Sequence, residues 1–225
     1  MISQKIVIIG GGGHAGIILD CIKAQNKYEP IGYLDDKKGY FYRENIKYLG
    51  SIDSFFKNFK AKVKNENLYF TIAIGDNYIR KKIFYYLKKK KNLSLKWATL
   101  IHPSASIASK VKIAKGAQIL NGSIISFNTK ISKFVCINTG ATIDHDNHFS
   151  NFSAAGPSAC TGGNVKIGEG SFLGINCSVK HNINIGKNVI VGGNSFVNQN
   201  CKANSVYVGV PARKIKSRSK NESYL

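Results

Sequence analysis

The chain has 225 residues and a formal net charge of +21, because 33 lysine and arginine residues face 12 acidic ones. Of the basic residues, 29 are lysine. Nucleic-acid-binding proteins typically contact bases and phosphates through the forked guanidinium groups of arginine, so we expect no nucleic-acid binding. No stretch is long and apolar enough to span a membrane and no signal-like segment begins the chain, so we expect a cytoplasmic protein without membrane insertion.

The first hundred residues alternate apolar strands with helices, which predicts an α/β domain with a Rossmann-like parallel sheet over residues 1–100. The expected strands lie at 5–10, near 31–34 and at 68–74. The expected helices begin after Gly13 and run from about 77 to 90.

A glycine-rich loop, GGGGHAG at 10–16, follows the first predicted strand. Gly11, Gly13 and Gly16 satisfy the G-x-G-x-x-G pattern, in which backbone amides and a helix N-terminus receive a phosphate. Asp35 and Asp36 end the second strand, where such folds contact a ribose or base. Because about 100 residues are too few for a complete dinucleotide fold, a mononucleotide or nucleotide sugar is at least as favoured as NAD. A purely structural glycine turn is the remaining alternative.

From residue 107 onward, every sixth position follows one rule without an insertion: 13 of 17 such positions hold Ile, Leu or Val, and only Thr161 is polar. Neither a helix nor a flat strand has a period of six, whereas a triangular parallel β-helix of hexapeptide repeats does. A second column, four residues later, holds small or β-branched residues and includes Cys177 and Cys201, which we interpret as interior filler. We expect this domain to cover 101–216 and a polar tail to cover 217–225. The positions of this six-residue column are Ile107, Ile113, Ile119, Ile125, Ile131, Ile137, Ile143, Phe149, Ala155, Thr161, Ile167, Leu173, Val179, Ile185, Val191, Val197 and Ala203.

An acid-flanked histidine lies in the segment TIDHDNH, at 142–148. Asp144 and Asp146 are the only aspartates after residue 100, and they flank His145. A nearby carboxylate orients an imidazole and raises its basicity, which a general base requires. The alternative is a solvated surface histidine without a role.

A metal site is not expected at this histidine. His181 follows His145 by 36 residues, or two coils of 18, which places the two about 10 Å apart along one face. That distance is too long for both to bind one metal ion. His148 is expected on another side of the prism.

Five segments together resemble a known family. They are GGGGHAG, AIGDNYIRKKI at 73–83, INTGATIDHD at 137–146, GGNVKIGEGSFLGIN at 162–176 and VGVPAR at 208–213. Their ordered combination, over residues 1 to about 216, resembles the nucleotide-sugar acetyltransferases typified by the bacillosamine-pathway N-acetyltransferase PglD and the sialic acid O-acetyltransferase NeuD.

The resemblance implies a left-handed β-helix assembled as a homotrimer, with acetyl-CoA in the groove between neighbouring prisms. It implies direct acetyl transfer to the amino group of a nucleotide-linked sugar, with a UDP-linked 4-amino sugar favoured. O-acetylation of a sialic acid-type sugar demands the same base and groove. A non-catalytic nucleotide-sugar scaffold is the alternative from another functional class, and it has no need of an acid-flanked histidine.

The same resemblance implies roles for individual residues. His145 matches the general base, and Asp146 matches the acid that increases its basicity. The positions that match nucleotide-sugar contacts are Gly12, Gly13, His14, Asp35, Asp36 and Gly75. The positions that match acetyl-CoA contacts are Ala154, Ile175 and Gly193.

Two positions depart from the family pattern. Some members carry histidine where this chain has Ala154, so only backbone contacts to acetyl-CoA are expected there. The acid after the base is often glutamate, and Asp146 is one methylene shorter. Because neighbouring residues of a strand point to opposite faces, Asp146 reaches His145 only if the chain bends between them.

Overall fold

The computed structural model describes residues 4–37, 46–58, 67–90, 94–219 and 222–223. The chain divides into two compact units. The first unit comprises Met1–Gly75 and Ile79–Leu100, and the second comprises Asp76–Tyr78 and Ile101–Leu225.

The first unit contains a parallel sheet of four described strands, β1 (Gln4–Ile9), β2 (Tyr28–Leu34), β3 (Tyr69–Ile72) and β4 (Lys96–Trp97), in the order β2-β1-β3-β4. The helices within the described residues are α1 (Gly13–Gln25), α2 (Ile52–Asn58) and α3 (Asn77–Lys89). None of these helices is long and apolar enough to cross a membrane. The central strand β1 is fully buried from Ile6 to Ile9, as expected for a parallel sheet covered on both faces. The predicted α/β parallel-sheet domain is confirmed.

The second unit is a parallel β-helix of short strands, and its last two strands form an antiparallel hairpin. Strands in successive coils pair in register 18 residues apart, as Cys136 pairs with Ala154. The predicted parallel β-helix is therefore confirmed. Its strands are β5 (Leu100–Ile101), β6 (Ser106–Ile107), β7 (Lys112–Ile113), β8 (Gln118–Ile119), β9 (Ile124–Ile125), β10 (Lys130–Ile131), β11 (Cys136–Ile137), β12 (Thr142–Ile143), β13 (His148–Phe149), β14 (Ala154–Ala155), β15 (Cys160–Thr161), β16 (Lys166–Ile167), β17 (Phe172–Leu173), β18 (Ser178–Val179), β19 (Asn184–Ile185), β20 (Val189–Val191), β21 (Phe196–Val197), β22 (Ser205–Gly209) and β23 (Ala212–Ser217).

Three sheets form the sides of the prism. Face one has the order β23-β22-β20-β17-β14-β11-β8-β5. Face two has the order β21-β18-β15-β12-β9-β6, and face three has the order β19-β16-β13-β10-β7. In each two-residue strand the second residue points into the prism and the first points outward, because side chains alternate along a strand.

The six-residue apolar column forms the interior of the prism. Every position of the column from Ile119 to Val197 is buried, whereas Ile107 and Ile113 at the open end are only partly buried and Ala203 is exposed. The second column is buried from Ala117 onward. It includes Cys177 and Cys201, and burial raises the pKa of each thiol to about 12. Both thiols are therefore protonated at neutral pH and serve as interior filler.

A third column with the same period forms the corners. At every sixth position from 110 to 194 the backbone has a positive φ near 55–75°, the left-handed region that favours glycine and asparagine. This residue turns the chain from one face to the next. The column consists of Lys110, Gly116, Gly122, Asn128, Phe134, Gly140, Asp146, Phe152, Ser158, Asn164, Gly170, Asn176, Asn182, Asn188 and Asn194.

One polar residue interrupts the apolar interior column. Thr161 is 5% exposed, and its Oγ1 has no hydrogen-bond partner among the described residues. A buried hydroxyl without a partner costs about 1–3 kcal/mol of stability relative to a hydrated one. The unpaired hydroxyl of Thr161 therefore lowers the stability of the prism, and a substitution can remove it.

We predict that Thr161→Val increases the free energy of unfolding by about 1 kcal/mol, because the substitution removes an unpaired hydroxyl and nearly preserves volume. Thr129→Val is the matched control. The Thr129 hydroxyl is buried but donates to the Asp144 carbonyl oxygen at 2.9 Å, so its loss should decrease stability. Denaturant unfolding of both variants tests this pair, and equal effects of the two substitutions would contradict it.

Candidate active site

The acid-flanked histidine lies at the corner between faces two and three, in the turn between β12 and β13. His145 Nδ1 is 2.8 Å from Asp146 Oδ2. Asp146 is the corner residue of this turn, with φ +57°. The left-handed conformation supplies the bend that an extended strand lacks, so the shorter aspartate reaches the imidazole.

The surrounding polar groups favour a charged imidazole. The hydrogen bond that His145 donates to Asp146, and then the charge of Asp144, raise the pKa of His145 above its ordinary value of 6.5. Asp146 Oδ1 accepts a hydrogen bond from Asn128 Nδ2 at 2.6 Å. That bond, followed by the one from His145, lowers the pKa of Asp146, which is therefore ionised at neutral pH.

Asp146 occupies one step of an asparagine ladder at this corner. The corner residues one coil before and one coil after it are Asn128 and Asn164, and Asn164 Nδ2 donates to Asn182 Oδ1 at 2.8 Å. Asparagine suits the left-handed corner, and aspartate preserves that preference. The exchange of an amide for a carboxylate at this one step places a negative charge beside the histidine without disturbing the coil.

A buried amide that the sequence analysis did not single out holds the turn from inside. Asn147 is 1% exposed, and its Nδ2 donates to the carbonyl oxygens of Asp144 at 2.7 Å, His145 at 3.1 Å and Gly162 at 3.0 Å. Its Oδ1 accepts from the Val165 backbone at 3.2 Å. The sequence does contain a signal for this residue, because an asparagine occupies a column otherwise filled by small or apolar side chains.

A glycine in the next coil leaves room for the imidazole. A Cβ atom at Gly163 would lie 2.5 Å from His145 Cε1 and 2.6 Å from Nε2. The imidazole ring therefore packs against backbone atoms, and residue 163 must be glycine because the ring lies so close to it. Gly163 was not predicted as a site residue.

The hydrogen bonds determine which nitrogen is available for chemistry. A carboxylate only accepts, so His145 Nδ1 carries the proton directed at Asp146, and Nε2 of the neutral ring is the basic nitrogen. The histidine side chain is 56% exposed, which leaves it accessible to a substrate. The arrangement can accept a proton at Nε2 and stabilise the resulting imidazolium.

In the first unit, the candidate nucleotide-sugar residues gather at one edge of the sheet. Strands β2, β1 and β3 are adjacent, and the residues that follow their carboxyl ends include Gly12, Asp35 and Gly75. Open α/β sheets bind ligands outside this edge. Gly12 and Gly13 have open space where a Cβ would lie, so a ligand can approach their backbone closely.

The two candidate aspartates differ in their contacts. Asp35 accepts hydrogen bonds from the backbone of Gly11 at 2.8 Å and of Lys37 at 2.9 Å, so its carboxylate holds the glycine loop. Asp36 is exposed beside it. His14 lies in the first turn of α1, one residue after Gly13.

A buried arginine fixes the third loop at this edge. Arg80 is 1% exposed and donates from Nη1 to the carbonyl oxygens of Ile74 at 2.8 Å and Gly75 at 2.9 Å. Gly75 was predicted as a site residue, but Arg80 was not. The available signal was that Arg80 is one of only four arginines in a lysine-rich chain.

The candidate acetyl-CoA residues lie at a different part of the prism from His145. Ile175 and Gly193 are one coil apart at the corner between faces one and two, and a Cβ at Gly193 would lie 3.2 Å from the Ile175 carbonyl oxygen. Ile175 is 60% exposed, and its apolar side chain beside a bare glycine suits a narrow, partly apolar ligand. Ala154 is buried on face one. Within one chain, face two separates this corner from His145.

In the part of the chain that the structure describes, no three His, Cys, Asp or Glu side chains converge in a way that could hold a metal ion.

Protein-family models match part of each unit. Residues 5–87 match the family described as the PglD N-terminal domain, and residues 164–199 match the bacterial transferase hexapeptide (six repeats). A curated relative, UDP-N-acetylbacillosamine N-acetyltransferase from Bacillus subtilis (strain 168), is 33% identical over 121 residues, which are 52% of this chain and 51% of the relative. The chain thus aligns with about half the length of this relative.

Solved structures match over nearly the whole chain. PerB from Caulobacter crescentus, in complex with CoA and GDP-perosamine, has a TM-score of 0.85 and 28% identity, with coverage of 96% of this chain and 99% of that chain. The acetyltransferase domain of PglB from Neisseria gonorrhoeae FA1090 has a TM-score of 0.82 and 25% identity, with coverage of 95% and 100%. The resemblance inferred from the sequence motifs is confirmed, and the chain is homologous to these acetyltransferases.

We predict that Asp146→Asn lowers the pKa of His145 towards 6.5, because asparagine retains the corner conformation and removes the charge that holds the imidazolium. The imidazole resonances followed by NMR during a pH titration measure this shift. His148 serves as the internal reference, since its pKa is lowered by burial and by Lys130 and Lys166 rather than by Asp146. An unchanged pKa of His145 would contradict the assigned coupling.

Proposed function

We propose that this protein transfers an acetyl group from acetyl-CoA to the amino group of a nucleotide-linked sugar. The proposal starts from homology to sugar N-acetyltransferases, and it depends on one observation, the hydrogen bond between His145 Nδ1 and Asp146 Oδ2. In this proposal residues 1–100 bind the nucleotide sugar and residues 101–216 bind acetyl-CoA. The reaction would take place in the cytoplasm.

In this mechanism His145 is the general base. The amine nitrogen attacks the thioester carbonyl as Nε2 accepts the amine proton; the C–N bond forms, the C–S bond breaks, and the thiolate of CoA takes up a proton. Asp146 stabilises the imidazolium while Nε2 holds that proton. Since a base must be unprotonated, kcat/KM should increase as the pH rises through the raised pKa of His145. Both substrates bind together, so no acyl-enzyme is required.

The separation of the two corners supports a site made by more than one copy of the chain. His145 and the pair Ile175 and Gly193 lie on opposite sides of face two, so one prism does not bring them together. The outward residues within the face-two strands carry no charge, and Ile124 (44%) and Phe196 (36%) expose large apolar side chains there. We propose a homotrimer in which face two contacts the neighbouring prisms and His145 of one copy meets Ile175 of the next.

We predict that His145→Ala reduces kcat by about 10²–10⁴-fold while CoA still binds, because a placed base contributes that factor to the rate. Thiol release from acetyl-CoA measures turnover. His181→Ala is the matched control, since His181 is exposed at the same corner two coils later and should be dispensable. Wild-type turnover of the His145 variant would refute the assigned base.

The acceptor is identified by the same thiol-release assay with UDP-, dTDP- and GDP-linked 4-amino sugars and with CMP-sialate. Release with an amino sugar supports N-acetylation, and release with CMP-sialate alone indicates O-acetylation instead. Absence of release with every acceptor, together with retained nucleotide binding, would favour a scaffold.

We predict that Ile124→Lys converts the trimer to monomer, because it places a charge in the apolar contact of face two. Sedimentation equilibrium gives the mass. Ile215→Lys is the control, since Ile215 is 59% exposed on β23, outside face two. A monomeric wild type, or an unchanged mass of the Ile124 variant, would count against this interface.

A further inference from the structure

Four residues that follow strand β23 bind back onto the last coils of the prism. The backbone N–H of Arg218 donates to the Asn204 carbonyl oxygen at 2.9 Å. Asn188 Nδ2 donates to the Ser219 carbonyl oxygen at 2.9 Å. The sequence predicts only a polar tail in this region, whereas the structure shows a hydrogen-bonded segment that we call the C-terminal anchor. The anchor consists of Arg218, Ser219, Glu222 and Ser223.

A buried arginine holds the C-terminal anchor together. Arg218 is 8% exposed, and its Nη2 donates to the Glu222 carbonyl oxygen. The Glu222 carboxylate accepts a hydrogen bond from the Ser219 backbone at 3.1 Å and lies 3.5 Å from Lys216 Nζ. Because a buried guanidinium loses its hydration, a hydrogen bond to a protein acceptor offsets part of that loss. These contacts fix the direction in which the next residue, Ser223, extends.

The C-terminal anchor reaches a buried carboxyl group that lies 147 positions earlier in the chain. Ser223 Oγ donates to Asp76 Oδ2 at 2.7 Å, and Asp76 is 2% exposed. A buried carboxylate is costly without hydrogen-bond donors, and bonds to a charged acceptor are stronger than bonds between neutral groups. The Ser223 hydroxyl therefore helps to fix Asp76.

Asn77, the residue after Asp76, is bound to the same corner of the prism as the C-terminal anchor. It is 1% exposed, and its Nδ2 donates to the carbonyl oxygens of Ser171 at 3.0 Å and Gly170 at 3.4 Å. Gly170 and Asn188 are corner residues of successive coils, between faces three and one. Asn77 and the anchor therefore bind adjacent coils at one corner, and together they hold the start of α3.

Asp76 continues directly from the loop that follows β3, whose Gly75 is a candidate nucleotide-sugar residue. The Gly75 carbonyl oxygen already accepts a hydrogen bond from Arg80 at 2.9 Å. Because the peptide bond between them is planar, fixing Asp76 also restricts the conformations open to Gly75. Glycine loses more conformational freedom on ordering than any other residue, so a glycine that is already restrained loses less entropy when a ligand binds.

We propose that the C-terminal anchor preorganises the loop at Gly75, with Ser223 as a positioning residue that acts through Asp76. The inference rests on the proposed function, in which this loop contacts the nucleotide sugar. Ser223 does not touch the ligand; it narrows the conformations of the loop and so increases the affinity for the nucleotide. The affinity for CoA, which the proposed function assigns to the prism, does not depend on this contact.

The full-length Ser223→Ala variant tests this role by hydrogen exchange and by calorimetry. We expect the backbone amides of residues 74–78 to exchange about tenfold faster, since loss of one hydrogen bond to a carboxylate changes a local equilibrium by about that factor. The affinity for the nucleotide that the wild type binds, among UDP, dTDP, GDP and CMP, should fall about tenfold, with the affinity for CoA unchanged.

Two further variants separate the hydroxyl of Ser223 from the rest of the C-terminal anchor. Ser223→Thr keeps the hydroxyl and should restore both the slow exchange and the nucleotide affinity. Ser219→Ala is the matched control, because Ser219 is exposed and binds through its backbone. It should match the wild type in both measurements.

Several results would overturn the proposal. Unchanged exchange at residues 74–78 in the Ser223→Ala variant would exclude the restraint, whatever the catalytic activity. Faster exchange with unchanged nucleotide affinity, or a wild type that binds none of the four nucleotides, would exclude the link between the loop and that ligand. An equal loss of affinity for CoA would indicate a general effect on the fold.

Failure of the proposed function gives a different pattern. A wild type that transfers acetyl groups to no acceptor, while the Ser223→Ala variant shows both expected effects, would refute acetyl transfer and still support the positioning role. Acetyl transfer by a wild type whose loop does not respond to Ser223→Ala would refute the positioning role alone.

Discussion

The β-helix depends on one conformational constraint, a residue with left-handed backbone at every sixth position from 110 to 194. Left-handed backbone costs most L-residues roughly 1–2 kcal/mol, which explains why glycine and asparagine dominate this column. The fixed turn keeps two of every six residues inside the prism and stacks equivalent positions of successive coils in register. The interior, the outward columns and the location of His145 all follow from this repeated corner.

Small departures at one corner convert the repeat into a candidate active site. Asp146 replaces the asparagine of the ladder and directs a carboxylate at His145, while Asn147 replaces a small interior residue and binds three carbonyl oxygens around the turn. Gly163 keeps the neighbouring coil clear of the ring. Both residues are compatible with their columns. Aspartate tolerates the left-handed backbone of the corner, and the buried amide of Asn147 has hydrogen-bond partners. A candidate catalytic histidine is therefore accommodated without a change in the coil.

The faces of the prism differ in charge and polarity. The outward strand residues of face two are uncharged and partly apolar, which favours contact with copies of the chain, whereas face three concentrates lysines, among them Lys112 and Lys130, around a groove. His145 stands between them at their shared corner. In the first unit, Asp35 and Arg80 hold the loops at the carboxyl edge of the sheet, so the glycine backbone is preorganised there. The proposed reaction needs both: a fixed binding edge for the nucleotide sugar and a basic nitrogen open to the amine.

Periodicity in the sequence was sufficient to predict the parallel β-helix, its interior column and the α/β sheet, because those features depend on spacing along the chain. The acid-flanked histidine could also be recognised, since its two aspartates are the only ones after residue 100. The sequence did not reveal whether Asp146 reaches the ring, because that depends on the φ angle of a single corner residue. Nor did it identify Asn147, Gly163, Arg80 or the lysine groove. Asn147 and Gly163 contact residues one coil away, and the lysines of the groove lie on successive coils, so stacking at a spacing of about 4.8 Å is what brings these groups together. Arg80 lies on α3 and binds the loop after β3, an arrangement that depends on the packing of the first unit.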